Sequence, residues 1–171
     1  ELVQQVNGEF AERFESRNLD LICILQPEPL LICADSRRIW RVLENLYVNV
    51  CKYAMPGTRV YVDAIKKDGK IQLSIKNISE NPLNFQADEL TERFIRGDVS
   101  RSTEGSGLGL SIAKNLTVLQ HGSFNIYLDG DLFKVTITFD EAVKEKKPET
   151  SGYTAKPEMP EEDLEKPSSD T

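Results

Sequence analysis

The chain has 171 residues, which is enough for one domain, since a single hydrophobic core of ordinary size accounts for about 100 to 200 residues. Its composition, 39% hydrophobic and 29% charged, is typical of a globular protein, and no apolar run approaches the ~20 residues that span a bilayer. The formal net charge of −7 disfavours nucleic acid as a partner, because backbone phosphates are bound by clustered Lys and Arg. We therefore expect a domain that contacts neither a membrane nor nucleic acid.

Charge and proline content divide the chain into two parts. Residues 141–171 carry nine acidic and five basic side chains and four of the eight prolines, with few large apolar residues. Such a stretch buries too little surface to offset the entropy lost on ordering. Residues 1–140 are therefore predicted to be the folded domain, and residues 141–171 a disordered acidic tail. The chain starts at Glu1, in helix-like sequence without an initiator Met, which suggests a fragment of a longer protein.

The three cysteines, Cys23, Cys33 and Cys51, form no CxxC pair of the kind that binds zinc or supports redox chemistry. Free cysteine behaves as a small core hydrophobe. We therefore expect all three to be reduced and buried, in a cytoplasmic domain.

The first predicted elements are a helix and two strands. The helix covers residues 1–17. The strands, residues 19–25 and 30–34, are short and apolar, and they flank a turn at Pro27 and Pro29. Both are predicted to be buried.

A long amphipathic helix follows. It begins at Asp35, a favourable N-cap residue, and ends by Met55, because proline and glycine come next. Its apolar residues recur at helical spacing, which predicts one face packed on a core. They are Ile39, Val42, Leu43, Leu46, Tyr47 and Val50.

The remainder of the body predicts two hairpins and one more helix. Residues 58–77 and 123–139 alternate in polarity, and each turns at an Asp-Gly pair. Between them, residues 77–104 lack sustained periodicity, and residues 107–120 form a second amphipathic helix. Helices with antiparallel hairpins indicate an α+β fold, a two-layer α/β sandwich.

A polar stripe runs along the first long helix. Asn45, Asn49 and Lys52 are four and then three residues apart, so at about 100° per residue they share one narrow side, opposite the apolar face. Asn is a poor helix former, so two in mid-helix call for an explanation. The stripe faces either a ligand or solvent.

A glycine run stands where the second helix begins. Gly105, Gly107 and Gly109 let the backbone approach a phosphate while the first amides of the helix point at it. The run follows a long loop and the chain has no series of βαβ units, which disfavours a Rossmann turn. No GxxxxGK[ST] is present, which excludes a P-loop.

The order of these pieces carries a family resemblance. The chain reads "DSRRIWRVLENLYVNVCKYAMPG", a hairpin, "LTERFIRGDVSRSTEGSGLGLSIAKNL" and "LQHG", and this resembles the histidine-kinase branch of the GHKL family, which also includes gyrase, Hsp90 and MutL. The resemblance implies the Bergerat ATP-binding fold, a mixed, mainly antiparallel sheet packed on about three helices. It also implies ATP and Mg²⁺ as ligands, and transfer of the γ-phosphoryl group to a histidine.

The resemblance assigns roles to individual residues. Asn49 would hold Mg²⁺ against the phosphates, Lys52 would contact phosphate, and Tyr53 would line the adenine pocket. Asn45 takes the upstream polar position of the same motif, so Asn45, Asn49 and Lys52 are the implied catalytic residues. The other implied ATP-binding residues are Phe94 as the anchor of the ATP lid, Arg96 and Arg101 as lid cations near the terminal phosphate, and Gly105, Gly107, Leu108, Gly109 and Leu110 over the triphosphate.

One motif departs from the family pattern. Members usually carry DxGxG after the first hairpin, and its aspartate accepts a hydrogen bond from the adenine amino group. Here the stretch runs from Asn77 to Asn81 without glycine. The side-chain oxygen of Asn77 can accept the same bond, although a neutral amide is a weaker acceptor than a carboxylate.

Three functions are compatible with this pattern. In the ATPase branches a glutamate one turn before the magnesium asparagine activates water, but that position here is Asn45, which cannot act as a general base. This favours a histidine kinase over a GHKL ATPase. The altered adenine motif supports a third interpretation, a degenerate Bergerat-fold binding module without productive nucleotide binding.

The phosphoacceptor is expected to lie outside this chain. The only histidine, His121, stands beside Gly122 at a helix end, where a structural role with Gly122 as C-cap is favoured. The family resemblance implies that the acceptor lies in a phosphoacceptor and dimerisation helical hairpin of the parent kinase. It further implies a response regulator as partner of the full-length protein, and a parent that is an integral membrane protein.

Overall fold

The computed structural model describes residues 1–83 and 108–142. Within these residues the chain forms three helices and five strands. The helices are α1 (Leu2–Ser16), α2 (Ser36–Tyr53) and α3 (Gly109–Val118). The strands are β1 (Asp20–Leu25), β2 (Arg59–Lys67), β3 (Lys70–Ile78), β4 (Ser123–Asp129) and β5 (Leu132–Asp140).

The strands form one mixed sheet in the order β1-β2-β3-β5-β4. β1 pairs with β2 in parallel, and the other three pairings are antiparallel. Alternate residues of β2, β3 and β5 are buried, and they join the apolar face of α2 in a single core. This two-layer arrangement confirms the predicted fold class.

Helix α2 begins and ends where its sequence predicts. The Asp35 carboxylate accepts hydrogen bonds from the backbone N–H groups of Arg37 and Arg38, at 2.9 and 3.2 Å, as an N-cap should. All six apolar residues of the predicted face are buried. At the other end Ala54 is in extended conformation, so the helix ends at Tyr53, two residues before Met55.

The first hairpin turns at Asp68 and Gly69, which both have positive φ, 51° and 71°. Two positive φ angles in succession are the geometry that Asp-Gly favours in a two-residue hairpin loop. The second hairpin turns at Gly130, also at positive φ. Both predicted hairpins are therefore confirmed.

Two predictions near the start of the chain are wrong. Residues 30–34 form no strand, and only Ile32 makes an isolated bridge, to Glu141. The cysteines are not buried: Cys23 and Cys33 are exposed and Cys51 is half-buried. Cys23 lies in β1, at the edge of the sheet, where a neighbouring strand covers one side only. Cys33 lies in the segment that forms no strand, and Cys51 is in α2 but outside its buried face.

The end of α3 differs from the prediction in detail. His121, not Gly122, adopts the left-handed conformation, with φ 64°. The N–H of His121 donates to Val118 O and the N–H of Gly122 to Thr117 O, which is the Schellman pattern of helix termination. Gly122 is required for another reason: a Cβ there would lie 2.6 Å from the Phe139 ring.

Candidate functional site

Helices α2 and α3 pack side by side in opposite directions. The side chain of Gln120, beyond the end of α3, accepts a hydrogen bond from the N–H of Asp35 at the start of α2, at 2.8 Å. The first residue of α3, Gly109, lies against Asn45 in the middle of α2, because a Cβ on Gly109 would be 3.4 Å from Asn45 Oδ1. The start of α3 is thus beside Asn45, the first residue of the polar stripe of α2.

The three residues of the polar stripe are half-buried. Asn45 Nδ2 donates to Arg41 O, one turn earlier, at 2.6 Å. This bond fixes the amide and leaves Oδ1 towards Gly109. Asn49 and Lys52 follow on the same side of α2, because residues three and four apart are neighbours on a helix.

Lys52 and Tyr53 are the last two residues of α2. The Lys52 ammonium nitrogen lies 5.0 Å from the centroid of the Tyr53 ring, which is within the range of a cation–π contact. Both residues are half-buried. A cation and an aromatic ring therefore stand together where α2 ends.

Asn77 is a buried polar residue at the end of β3. It is 3% exposed and faces the helices from the end of β3. Its Nδ2 donates to Ile78 O at 3.2 Å, and since a carbonyl can only accept, this bond orients the amide. Oδ1 is buried and has no hydrogen-bond partner within residues 1–83 and 108–142. An unpaired buried acceptor costs roughly 1–3 kcal/mol, so a donor from a ligand would be favoured.

A short backbone pairing joins the end of α2 to the end of β3. Ala54 and Ser79 form an antiparallel bridge. On either side of it, the N–H of Met55 donates to Ile78 O at 2.9 Å and the N–H of Glu80 to Tyr53 O at 2.8 Å. The pairing brings the elements that carry Tyr53 and Asn77 together.

Ser79 stands where the family motif has its first glycine. It is 6% exposed, and its N–H donates to Asp131 O in the turn of the second hairpin, at 2.7 Å. The altered motif is thus held by backbone bonds on both sides. Sequence patterns did not indicate this, because residues 78–80 bond to residues 53–55 and to Asp131, which are distant from them in the chain.

The other expected site residues divide into two groups. Leu110 is buried at 3% exposure and anchors α3 in the core, whereas Leu108, just before the helix, is 41% exposed. The expected lid and glycine-box residues Phe94, Arg96, Arg101, Gly105 and Gly107 lie outside the described residues. No helix in the described part of the chain is both long and apolar enough for a membrane span.

The sequence model described as "Histidine kinase-, DNA gyrase B-, and HSP90-like ATPase" matches residues 34–165. The chain belongs to this family. The sensor kinase BaeS of Escherichia coli is 32% identical over 123 residues, which cover 71% of this chain and 26% of that protein. The sensor protein VanSC of Enterococcus gallinarum is 30% identical over 126 residues, which cover 72% of this chain and 34% of VanSC.

Solved structures agree on the fold. The catalytic domain of histidine kinase ThkA is similar with a TM-score of 0.71 at 23% identity, over 82% of this chain and 90% of that one. The chain is thus an ATP-binding catalytic domain of the sensor histidine kinase type, as the sequence indicated. It spans about a quarter to a third of the length of the curated relatives it matches, at 26%, 28% and 32%.

Proposed function

We propose that this domain binds Mg·ATP between the end of α2 and the end of β3 and transfers the γ-phosphoryl group to a histidine in a helical hairpin of the parent kinase. The observation that carries the proposal is the buried Oδ1 of Asn77, which lacks a partner among the described residues. Full-length ShkA in complex with AMPPNP is similar, with a TM-score of 0.69 over 82% of this chain at 22% identity, so a protein of this fold accommodates a nucleotide.

The adenine end of the proposed site is built on β3. The bond from Asn77 Nδ2 to Ile78 O presents the amide oxygen to the ligand, and an acceptor there selects a base with an amino group. Tyr53 stands at the neighbouring end of α2 and offers an aromatic surface to the base. The neutral amide makes a weaker bond than a carboxylate would, but it avoids burying a charge.

The phosphate end is built on α2 and the start of α3. Mg²⁺ takes oxygen ligands and commonly only one or two from the protein, so the amide oxygen of Asn49 fits it. Lys52, next along the stripe, supplies a positive charge for phosphate. Gly109 adds no side chain beside Asn45, and the first N–H groups of α3 are suited to an anion.

The proposed chemistry needs positioning more than activation. Phosphoryl transfer depends on holding a nucleophile in line with the terminal phosphate, and Mg²⁺, when bound, offsets the charge on the phosphates. Asn45 stands where an ATPase would have a general base, and its amide is already engaged with Arg41 O. Water is therefore not activated by this residue, and bound ATP should persist until a histidine is presented.

Calorimetric titration with a non-hydrolysable ATP analogue tests the binding step. We expect binding that strengthens with Mg²⁺, and loss of the Mg²⁺ dependence in Asn49→Ala. No heat at millimolar analogue from a chain that circular dichroism shows to be folded would favour the degenerate binding module instead.

Phosphoryl transfer is tested by mixing the chain with labelled ATP and the separately expressed helical hairpin of its parent. We expect label on the hairpin as acid-labile phosphohistidine, and none with Asn49→Ala. Rapid phosphate release without a hairpin would indicate an ATPase. The response regulator and the membrane attachment of the parent are proposals of the same kind, since they concern the full-length protein.

A further inference from the structure

One arginine side chain contacts both elements of the adenine end. Arg17 lies at the C-cap of α1. Its Nη2 donates to Ala54 O at 3.3 Å and to Glu80 Oε2 at 3.1 Å. Ala54 directly follows Tyr53 at the end of α2, and Glu80 comes three residues after Asn77. A single guanidinium therefore spans the pairing that holds the base-binding residues together.

The backbone around Arg17 fixes its position. The N–H of Gly57 donates to Asn18 O at 2.7 Å, and the N–H of Asp20 to Thr58 O at 3.0 Å. The connection from α1 to β1 is thereby bonded along its length to the connection from α2 to β2. Arg17 Nε is buried and has no partner in the described part of the chain, so this edge of the guanidinium is enclosed by protein.

Stability alone does not explain this arrangement. The side chains of Arg17 and Glu80 are 36% and 48% exposed, and ion pairs with such exposure contribute little to folding. The contact instead constrains the geometry between the end of α2 and the end of β3, because one rigid, planar group bonds to both sides of the Ala54–Ser79 bridge.

We infer that Arg17 is a positioning residue for the adenine pocket, which reinforces the backbone pairing between the end of α2 and the end of β3 and so fixes their spacing. The inference rests on the proposed function, since it assumes that the base lies between Tyr53 and Asn77. Without the guanidinium, the Glu80 side chain loses its link to Ala54 O and only the backbone bonds around the Ala54–Ser79 bridge join the two ends, so the amide of Asn77 is held less precisely against the amino group of the base. Selection of the base, more than folding, is then lost.

The test compares ATP with inosine triphosphate, whose 6-oxo group cannot donate to Asn77 Oδ1. The full chain is used with Arg17→Met, which keeps the apolar stem and removes the donors. We expect ATP affinity to fall on the order of tenfold, as for one lost ligand hydrogen bond, with little change for inosine triphosphate. The ratio of the two affinities therefore moves towards one. Arg17→Lys, which retains a donor and the charge, should restore part of the ratio.

Arg59→Met is the matched control. It removes an exposed arginine that is paired with Asp20 at 3.8 Å on the sheet edge, and it should leave the ratio unchanged. If Arg17→Met does not fold, Glu80→Gln tests the same link. It weakens the bond between Arg17 and residue 80 and keeps the bond to Ala54 O. The ratio of ATP affinity to inosine triphosphate affinity should therefore fall by less than is expected for Arg17→Met.

Three results would overturn the inference. An unchanged ratio in a folded Arg17→Met, or in Glu80→Gln where Arg17→Met does not fold, removes the positioning role while the proposed function stands. An equal fall in Arg59→Met makes the effect unspecific. A wild-type chain that binds neither nucleotide defeats the proposed function itself, and the inference with it.

Discussion

Gly109, the first residue of α3, lies against Asn45 of α2, with 3.4 Å between a Cβ built on the glycine and Asn45 Oδ1. This is an ordinary contact distance, so alanine fits without strain. Gly109→Ala should therefore raise the free energy of unfolding by up to about 1 kcal/mol, because alanine is the better helix former. The added methyl group fills the space beside the proposed phosphate site, so affinity for an ATP analogue should fall about tenfold.

Gly8→Ala provides the control for Gly109→Ala. Gly8 lies in α1 with open space around it, so the same gain in stability should come without any change in affinity. Denaturant unfolding and calorimetry on both variants measure the two effects separately. Equal affinities for Gly109→Ala and the wild type would remove the start of α3 from the nucleotide site.

Asn77→Leu separates folding from binding at the adenine end. The change removes the unpaired buried oxygen, and Ile78 O keeps its bond from the N–H of Met55. The free energy of unfolding should stay the same or rise by up to about 2 kcal/mol, because an orphaned polar group is replaced by an apolar side chain of similar size. Binding of the ATP analogue should become undetectable at micromolar concentration.

The comparison for Asn77→Leu is Asn125→Leu, at an exposed position of β4, which should affect neither quantity by much. A strongly destabilised Asn77→Leu protein would show that the oxygen of Asn77 has a structural partner in the native protein.

Adjacent substitutions at the end of α3 should have opposite effects. His121→Gly should stabilise the fold by roughly 0.5–1 kcal/mol, because glycine adopts the left-handed conformation without the penalty of a side chain. Gly122→Ala should destabilise it by about 1–3 kcal/mol, since the Cβ would collide with Phe139. Urea unfolding of the two variants checks both signs, and the reverse order would mean that Gly122 is the left-handed residue, as its sequence suggested.

Thiol labelling should follow the observed exposure of the cysteines. Burial raises the pKa of the Cys51 thiol, and the charges of Arg13 and Arg17 oppose the shift only in part. At mildly alkaline pH, iodoacetamide should therefore modify Cys23 and Cys33 well before Cys51, as mass spectrometry of peptides would show.

The same shift has a consequence for stability. A group whose pKa is raised on folding favours the folded state below its unfolded pKa, and this contribution is lost as the pH rises through the folded value. Cys51→Ala should therefore make the unfolding free energy less dependent on pH above about 8.5, the usual pKa of a free thiol. Equal pH profiles for the variant and the wild type would contradict the raised pKa.

Local chemistry made much of this fold predictable. Asp35 caps α2 and the Asp-Gly pair at 68–69 turns the first hairpin, because both depend on residues adjacent in sequence. The exposure of Cys23 and the contact of Arg17 with Glu80 were not predictable. They follow from the order of strands in the sheet, and a lone apolar run does not reveal whether its strand lies at an edge.

The candidate site, too, could be predicted from the sequence only in part. Helical spacing grouped Asn45, Asn49 and Lys52, but the contact of Asn45 with the start of α3 depends on how the two helices pack. The family resemblance pointed to Asn77, whereas its unpaired oxygen emerges only from the surroundings of β3.

The parallel pairing of β1 with β2 has a consequence for the order of folding. Parallel neighbours cannot be joined by a tight turn, and here α2 is the crossover that connects them. Contacts between segments so far apart in sequence form slowly compared with hairpins, whose strands meet through a local turn. The helix that carries Asn45, Asn49 and Lys52 is thus part of a connection that is far less local than either hairpin, and a newly made chain should become competent for nucleotide only after its two hairpins have formed.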